Sequence, residues 1–316
     1  MNSIEKALQK QQKEAEAKNK NQAIQTATTT EPVQADNSIE KAQTQQDAGQ
    51  TEQVTSQKVT RAKTPVSDGI VSNTQIEIDL DMLAKKGFVS TDSNRQVINE
   101  EYRVIKRKLL DNAFGPLSKS LNNSNVIMVT SSRQGEGKTF TAINLALSIA
   151  LEQDKTVLLV DADVLRPNVM RTLELKNEQG LMEYLLGDKE NISEVMCRTN
   201  LNNLRIISAG KSHHLSAELL ASERMFDAVE EFANRYPDRI VIVDTPPLLG
   251  INETAILANL AGQALVVTEE FKTKLFDVEN AVKHLNPEMA IGFVVNKTEQ
   301  VNLEGGGYGY YYGGAN

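Results

Sequence analysis

The chain has 316 residues, of which 40% are hydrophobic, and 34 Lys+Arg against 42 Asp+Glu give a net charge of −8. An acidic balance of that size gives no broad cationic surface, so nucleic acid is not indicated as a partner. One cysteine, Cys197, excludes an internal disulfide, and no stretch approaches the ~20 apolar residues that a membrane span needs.

Residues 1–60 are almost all Gln, Lys, Glu, Ala, Thr and Asn, and hold no aromatic residue. Too little apolar surface is available there to offset the entropy of ordering, and residues 1–75 read as a disordered Gln/Lys-rich segment. The N-terminus lacks the apolar run of a signal peptide, which points to the cytoplasm, with any membrane contact peripheral. The hexapeptide NSIEKA occurs at Asn2–Ala7 and again at Asn37–Ala42. It reads either as low-complexity duplication or as two copies of a docking motif that turns helical on a partner.

The stretch IEIDLDML, Ile76–Leu83, alternates apolar and acidic residues at its start and suits a short edge strand. In NRQVINEEYRVIKRKLL, Asn94–Leu110, residues Val97, Ile98, Tyr102, Ile105 and Leu109 fall at helical spacing. Arg103, Lys106, Arg107 and Lys108 make the same helix basic, as a solvated charged face would be. From Asn125 onward, apolar runs at Val126–Thr130, Val157–Val160, Leu204–Ile207, Ile240–Val243, Ala264–Thr268 and Ile291–Val295 read as strands. Amphipathic stretches separate several of them; Phe140, Ile143, Leu147 and Leu151 fall on one helical face. Buried strands alternating with helices predict an α/β fold with a doubly wound, mostly parallel sheet over residues 76–303. Ligands of such sheets bind outside the carboxyl ends of the strands.

The chemistry sits at those ends. VIMVTSSRQGEGKTFTAINLALSIA reads as strand, loop, helix, the pattern of a phosphate loop. Glycines let backbone N–H groups face an anion, a lysine reaches the outer phosphates and a hydroxyl holds Mg²⁺. The candidate nucleotide-binding residues are Ser132, Arg133, Gln134, Gly135, Glu136, Gly137, Lys138, Thr139 and Phe140, with Ser132 where the usual pattern has glycine. In LLVDADVLRP, Asp161 and Asp163 end a strand two residues apart, beside that loop, which points to a metal or base role. In RIVIVDTPPLL, Asp244 ends another strand, the position where a carboxylate holds Mg²⁺. A spare carboxylate in such a set can accept a proton from an attacking hydroxyl.

Taken together, SSRQGEGKT, LLVDADVLRP and IVDTPP resemble the Walker A, Walker A′ and Walker B motifs of the bacterial tyrosine kinases of exopolysaccharide synthesis. EEYRVIKRKLL, SAELLASERM and the terminal GGGYGYYYGG are also similar to that family, and DADVLRP and GQALVVTEEFKT look most like its members from exosortase-linked loci. The resemblance implies a P-loop fold and an ATP- and Mg²⁺-dependent protein-tyrosine autokinase. By it, Lys138 and the loop amides bind phosphates, Thr139 and Asp244 hold Mg²⁺, and Asp163 assists the metal. Asp161 is the candidate base for the tyrosine hydroxyl, Arg166 a phosphate contact and Asn296 an adenine contact; Asp161 and Asp163 can exchange roles.

The same resemblance explains the tail at 304–316. Subunits of the family phosphorylate each other's tails, and Tyr308, Tyr310, Tyr311 and Tyr312 are the candidate acceptors. The family helix motif E-x-x-R-x-x-R mediates ring assembly, and here it reads Glu100, Arg103, Lys106, with Arg107 adjacent. Implied partners are other copies of the chain, a membrane polysaccharide co-polymerase as activator and a tyrosine phosphatase, with the kinase peripheral to the inner membrane. The competing reading is a ParA/MinD-like switch ATPase that transfers nothing to tyrosine. Arg133, where those ATPases usually carry lysine, and the tyrosine tail favour the kinase.

Overall fold

The computed structural model describes residues 74–90, 96–176 and 179–299. The NSIEKA repeats, nearly all of the 1–75 segment and the tyrosines of the tail lie outside the described residues. Eight strands form one sheet: β1 (Gln75–Ile76), β2 (Val126–Ser131), β3 (Thr156–Asp161), β4 (Met196–Thr199), β5 (Leu204–Ile207), β6 (Arg239–Asp244), β7 (Gln263–Glu269) and β8 (Ala290–Asn296). Their order across the sheet is β1-β4-β5-β3-β6-β2-β7-β8, and every neighbouring pair is parallel except β4–β5. The helices among the described residues are α1 (Leu80–Lys85), α2 (Val97–Phe114), α3 (Lys138–Ala150), α4 (Val169–Thr172), α5 (Leu181–Leu186), α6 (Ser216–Leu220), α7 (Glu223–Asn234), α8 (Asn252–Ala258) and α9 (Leu275–Val282).

All six predicted strands are present. β2 and β6 are buried at every residue, as strands covered on both faces must be. Met128, Leu158, Val160 and Val241 pack on one side of the sheet with Met225, Val229 and Phe232 of α7. Ile127, Val129, Leu159 and Ile242 pack on the other side with Leu145 and Ile149 of α3 and Tyr102 and Leu109 of α2. Alternation along each strand thus feeds two apolar layers, and the helices on both faces close them.

Three expectations are corrected. The edge strand at Ile76–Leu83 is only Gln75–Ile76, and Leu80–Leu83 belong to α1. Asp79 is the reason: its Oδ1 accepts from Met82 N–H at 2.8 Å and so starts a helix, burying Leu83. Sequence reading also missed β4, which pairs antiparallel with β5 and contains the buried Cys197. Thirdly, Lys106 is not on a solvated face. It is buried against α3, with Nζ donating to Ser148 O at 3.0 Å and paired with Glu152 at 2.5 Å. Tyr102, Lys106, Leu109 and Ala113 form the buried stripe of α2, while Arg103 points outward and pairs with Glu100 at 2.9 Å on its own helix.

Lys106 therefore fastens α2 to α3. Lys106→Ala removes a buried donor from a carbonyl and is expected to cost about 1–3 kcal/mol of stability. Arg103→Ala, at an exposed pair, is expected to change stability by less than about 0.5 kcal/mol. Urea midpoints of the two variants check the contrast.

Candidate active site

The site lies at the carboxyl ends of the parallel strands. β3 and β6 are paired so that Asp161 and Asp244 are directly opposite, and Val129 of β2 is opposite Asp244 on the other side. Parallel neighbours in register point to the same face, so one strand pairing delivers two carboxylates to one spot. The loop between β2 and α3 arches over them.

Its geometry follows from its residues. Gly135 and Gly137 have φ of +89° and +102°, the left-handed region that other residues avoid. A Cβ at Gly137 would also lie 1.9 Å from Asn296 Nδ2. Glu136 folds inward beneath the loop. Its carboxylate accepts from Ser132 Oγ at 2.9 and 3.1 Å, from Arg133 N–H at 2.8 Å and from Thr273 Oγ at 2.5 Å. Serine at 132, where glycine is usual, is thus one of the donors that hold Glu136. Asn296 Nδ2 donates to Glu136 O at 3.0 Å, and Lys297 Nζ to Gly135 O at 2.7 Å. Arg133 turns away and forks onto Asp277 of α9, at 2.7 and 2.9 Å, which holds the Asp277 carboxyl below its ordinary range.

Lys138, the first residue of α3, is buried with Nζ 3.7 Å from Asp163 Oδ2. Thr139 Oγ donates to Asp244 Oδ2 at 2.6 Å. The other oxygen, Asp244 Oδ1, is buried without a hydrogen-bond partner among the described residues. Asp161 is fully buried, and its two oxygens accept from the backbone N–H groups of Asp163 at 3.2 Å, Asn168 at 3.1 Å and Val169 at 3.0 Å. It pins the turn that carries Asp163 and Arg166. Burial pushes all three carboxyls up; the charge of Asp163 further raises Asp161 and that of Asp161 further raises Asp244, while Lys138 pulls Asp163 back.

A cavity of about 610 Å³ opens in front of the loop. Of the sequence-predicted residues, Gln134, Gly135, Gly137, Lys138, Thr139, Phe140, Asp163 and Arg166 line it. The side chains of Ser132, Arg133, Glu136 and Asn296 do not; they support the loop from behind. Asp161 and Asp244 sit beneath the cavity floor. Arg166 reaches across to Gln134 Oε1.

Sequence reasoning missed Phe88, Asn168, Arg171 and Thr172, which also line the cavity. Phe88 packs against Phe140 with ring centroids 4.7 Å apart and the rings tilted by 53°. Val89 N–H donates to Asn144 Oδ1 at 2.7 Å, which brings this distant segment to α3. Nothing local in the sequence marks Phe88, whereas Asn168 and Arg171 stand within a turn and a half of Arg166 and could have been inferred from it.

The donor set fits a nucleotide phosphate chain with Mg²⁺. The first amides of α3 have no intrahelical acceptor, the helix dipole favours anions there, and Lys138 adds a full positive charge. An unpaired buried carboxylate oxygen beside a threonine hydroxyl is the feature a cation would satisfy. No three acidic, His or Cys side chains converge to cage a metal among the described residues. Mg²⁺ is held by one or two carboxylates together with phosphate oxygens and water, and Asp244 with Thr139 would supply the protein's share of such a set.

A family model described as an AAA domain matches residues 124–286. The chain is similar to the tyrosine-protein kinase YwqD of Bacillus subtilis, with 30% identity over 230 residues, 72% of this chain and 92% of that one. It is also similar to the putative tyrosine-protein kinase EpsB of Ralstonia nicotianae, 35% identical over 195 residues. That match covers 61% of this chain and spans only 25% of the length of EpsB. Among solved structures, the kinase domain of the Escherichia coli tyrosine kinase ETK aligns with a TM-score of 0.55 and 25% identity, covering 76% of this chain and 95% of that domain.

The buried carboxyls make a pH dependence. Asp161 and Asp244 bind protons more readily folded than unfolded, because burial opposes their charge. In metal-free protein, stability is therefore expected to fall as pH rises above the ordinary carboxylate value of ~3.9, by at most about 1.4 kcal/mol per pH unit for each such group. Denaturant midpoints in EDTA, compared between mildly acidic and mildly alkaline buffer, check the sign. Asp244→Asn, which needs no proton to be neutral, is expected to flatten the slope.

Proposed function

Because the chain belongs to the bacterial tyrosine-protein kinase family, we propose that it transfers the γ-phosphoryl group of ATP to tyrosines of another copy of itself. The observation that carries the reading is the pairing of Lys138 with Asp163 at 3.7 Å on the wall of a cavity, directly beside the loop that cradles phosphate. A binding site for phosphates and a carboxylate able to take a proton face the same space.

In this reading the loop amides and Lys138 bind and orient the phosphates, and Arg166 contacts them from the opposite wall. Thr139 and Asp244 would hold Mg²⁺, with Asp163 assisting. Bound there, Mg²⁺ would offset the charge of the phosphate oxygens. Asn296 holds the loop from behind, its Nδ2 donating to Glu136 O.

Asp163 faces the cavity, whereas both oxygens of Asp161 are occupied by backbone N–H groups. Of the two assignments open from sequence, this favours Asp163 as the group that accepts the proton from the tyrosine oxygen. Asp161 then keeps the turn in place as a positioning residue. The phenol oxygen attacks the γ-phosphorus, the bond to the β-phosphate oxygen breaks, and ADP leaves. Phe88 and Phe140 offer an aromatic wall along which an acceptor ring can lie.

The acceptors are Tyr308, Tyr310, Tyr311 and Tyr312, and the biological setting is regulation of exopolysaccharide polymerisation and export. The partners are other copies of the chain, a membrane polysaccharide co-polymerase and a resetting phosphatase. No helix among the described residues is long and apolar enough to cross a membrane, so membrane attachment through a partner is part of the same proposal. On α2 the assembly face uses the outward Glu100, Arg103 and Arg107, since Lys106 is committed to α3.

The test mixes a Lys138→Met protein, tail intact, with an active protein whose four tail tyrosines are Phe, and adds ATP and Mg²⁺. Phosphotyrosine on the Lys138→Met tail is expected. ATP hydrolysis without any phosphotyrosine there would replace the kinase reading with a switch ATPase. A second measurement separates the carboxylates. Asp163→Asn is expected to lower kcat by roughly 10²–10⁴ with modest change in ATP affinity, as loss of a base does. Asp161→Asn, which loosens the turn, is expected to weaken ATP binding as well.

A further inference from the structure

Phe271, Leu275 and Phe276 are exposed by 90%, 72% and 70%, the three most exposed large apolar side chains among the described residues. They stand within six residues of one another, Phe271 on the turn after β7 and Leu275 and Phe276 in the first turn of α9. The turn after β7 is firmly built. Thr273 N–H donates to Glu269 O at 3.0 Å, and Glu269 N–H donates to Thr273 Oγ at 2.7 Å. Phe271 itself is held at φ +56°, a conformation costing a non-glycine residue about 1–3 kcal/mol. A strained, hydrogen-bonded turn that presents two phenylalanines and a leucine to water calls for an apolar occupant.

The path of the chain points to the occupant. Glu299, the last described residue, donates its N–H to Glu270 Oε2 at 2.7 Å, one residue from Phe271. The chain therefore leaves the fold beside this ledge. The residues that follow, 300–316, contain Val301, Leu303 and four tyrosines, with Glu304 as their single charge. Lys274 and Lys272, the latter also paired with Glu269 at 3.2 Å, flank the ledge and are exposed, complementary in sign to Glu304. Tyr308 is nine residues beyond Glu299. A glycine-rich chain of that length spans ~16 Å on average, so the tyrosines reach the ledge of their own chain without stretching. Tethering at that range gives an effective concentration in the millimolar range, which a second copy in dilute solution does not match.

We propose that the Phe271–Leu275–Phe276 ledge docks the C-terminal tyrosine segment of its own chain. The rings stack on the phenylalanines, and Glu304 meets Lys272 and Lys274. The ledge is hydrogen-bonded to the phosphate loop, through Thr273 to Glu136 and through Asp277 to Arg133. A docked segment therefore lies against the outside of the loop and is withheld from a neighbour's cavity. That last consequence rests on the proposed kinase reading; the docking itself does not.

The experiment places a photoreactive phenylalanine analogue at position 276 of the full-length protein, irradiates it in dilute solution without nucleotide, and maps adducts by mass spectrometry. The expected result is an adduct on residues 300–316 in the monomer-sized band. Phe271→Ser with Leu275→Ser is expected to reduce that adduct about fivefold or more, in line with loss of roughly 1 kcal/mol or more of apolar contact. The same double substitution, without the photoprobe, is expected to speed transfer to the tail by a neighbour. An adduct confined to the dimer-sized band, or no adduct on residues 300–316, would overturn the docking. Because crosslinking needs no catalysis, an inactive protein that still forms the intrachain adduct would refute the kinase reading and leave the docking standing.

Discussion

The register between β3 and β6 is the constraint on which the rest of the site depends. A shift by one residue would turn Asp161 and Asp244 to opposite faces of the sheet. The pairing is fixed by apolar residues, with Val157 to Val160 of β3 opposite Ile240 to Val243 of β6, all buried. Slippage would drive Leu158 and Ile240 out of their layers and carboxylates into them. The energetic weight of the core thereby sets catalytic geometry to within a side chain's reach. Thr139 completes the arrangement, because its hydrogen bond to Asp244 at 2.6 Å ties the head of α3 to the end of β6.

Glu136 shows how the phosphate loop keeps its shape without a ligand. A carboxylate beneath a loop meant for anions would ordinarily repel them. Here its charge is spread over the hydroxyls of Ser132 and Thr273 and the amide of Arg133. Three further elements grip the loop from outside: Asn296 and Lys297 after β8, Thr273 after β7, and Asp277 on α9. Loop conformation is therefore shared with the ends of two strands, β7 and β8, and with α9. A change at any of those loops has a direct hydrogen-bonded route to the phosphate-binding residues.

What was legible in the sequence follows the range of the interactions involved. Central strands are long apolar runs because they are covered on both faces, and the phosphate loop is a contiguous pattern, so both could be read. β4 could not: MCRT is four residues long, half polar, and becomes a strand only because β5 lies beside it. The edge-strand reading of Ile76–Leu83 gave weight to alternation and overlooked the Asp79 cap. Lys106 was read by residue type as solvated, whereas α2 packs so closely on α3 that the lysine finds a carbonyl and Glu152. The side chains of Arg133 and Asn296 were assigned to nucleotide from their places in motifs. Their partners, Asp277 and the Glu136 carbonyl, are more than a hundred residues away in the chain, and no local pattern announces them.

The concentration of charge around Lys138 gives the site its direction. Asp163 pairs with Lys138, Asp161 and Asp244 lie opposite each other on neighbouring strands, and burial penalises the ionised form of each. Alone, such a cluster is relieved by taking up protons. Phosphates and Mg²⁺ would relieve it differently: Thr139 and Asp244 would hold the cation in place of those protons, and Lys138 would engage the phosphates. In the proposed kinase reading, Lys138 would turn from Asp163 to the phosphates, leaving Asp163 as the carboxylate able to take a proton from the cavity side. Proton uptake by these buried carboxyls and activation of a base are thus opposite outcomes of one electrostatic balance, and a bound nucleotide would decide between them.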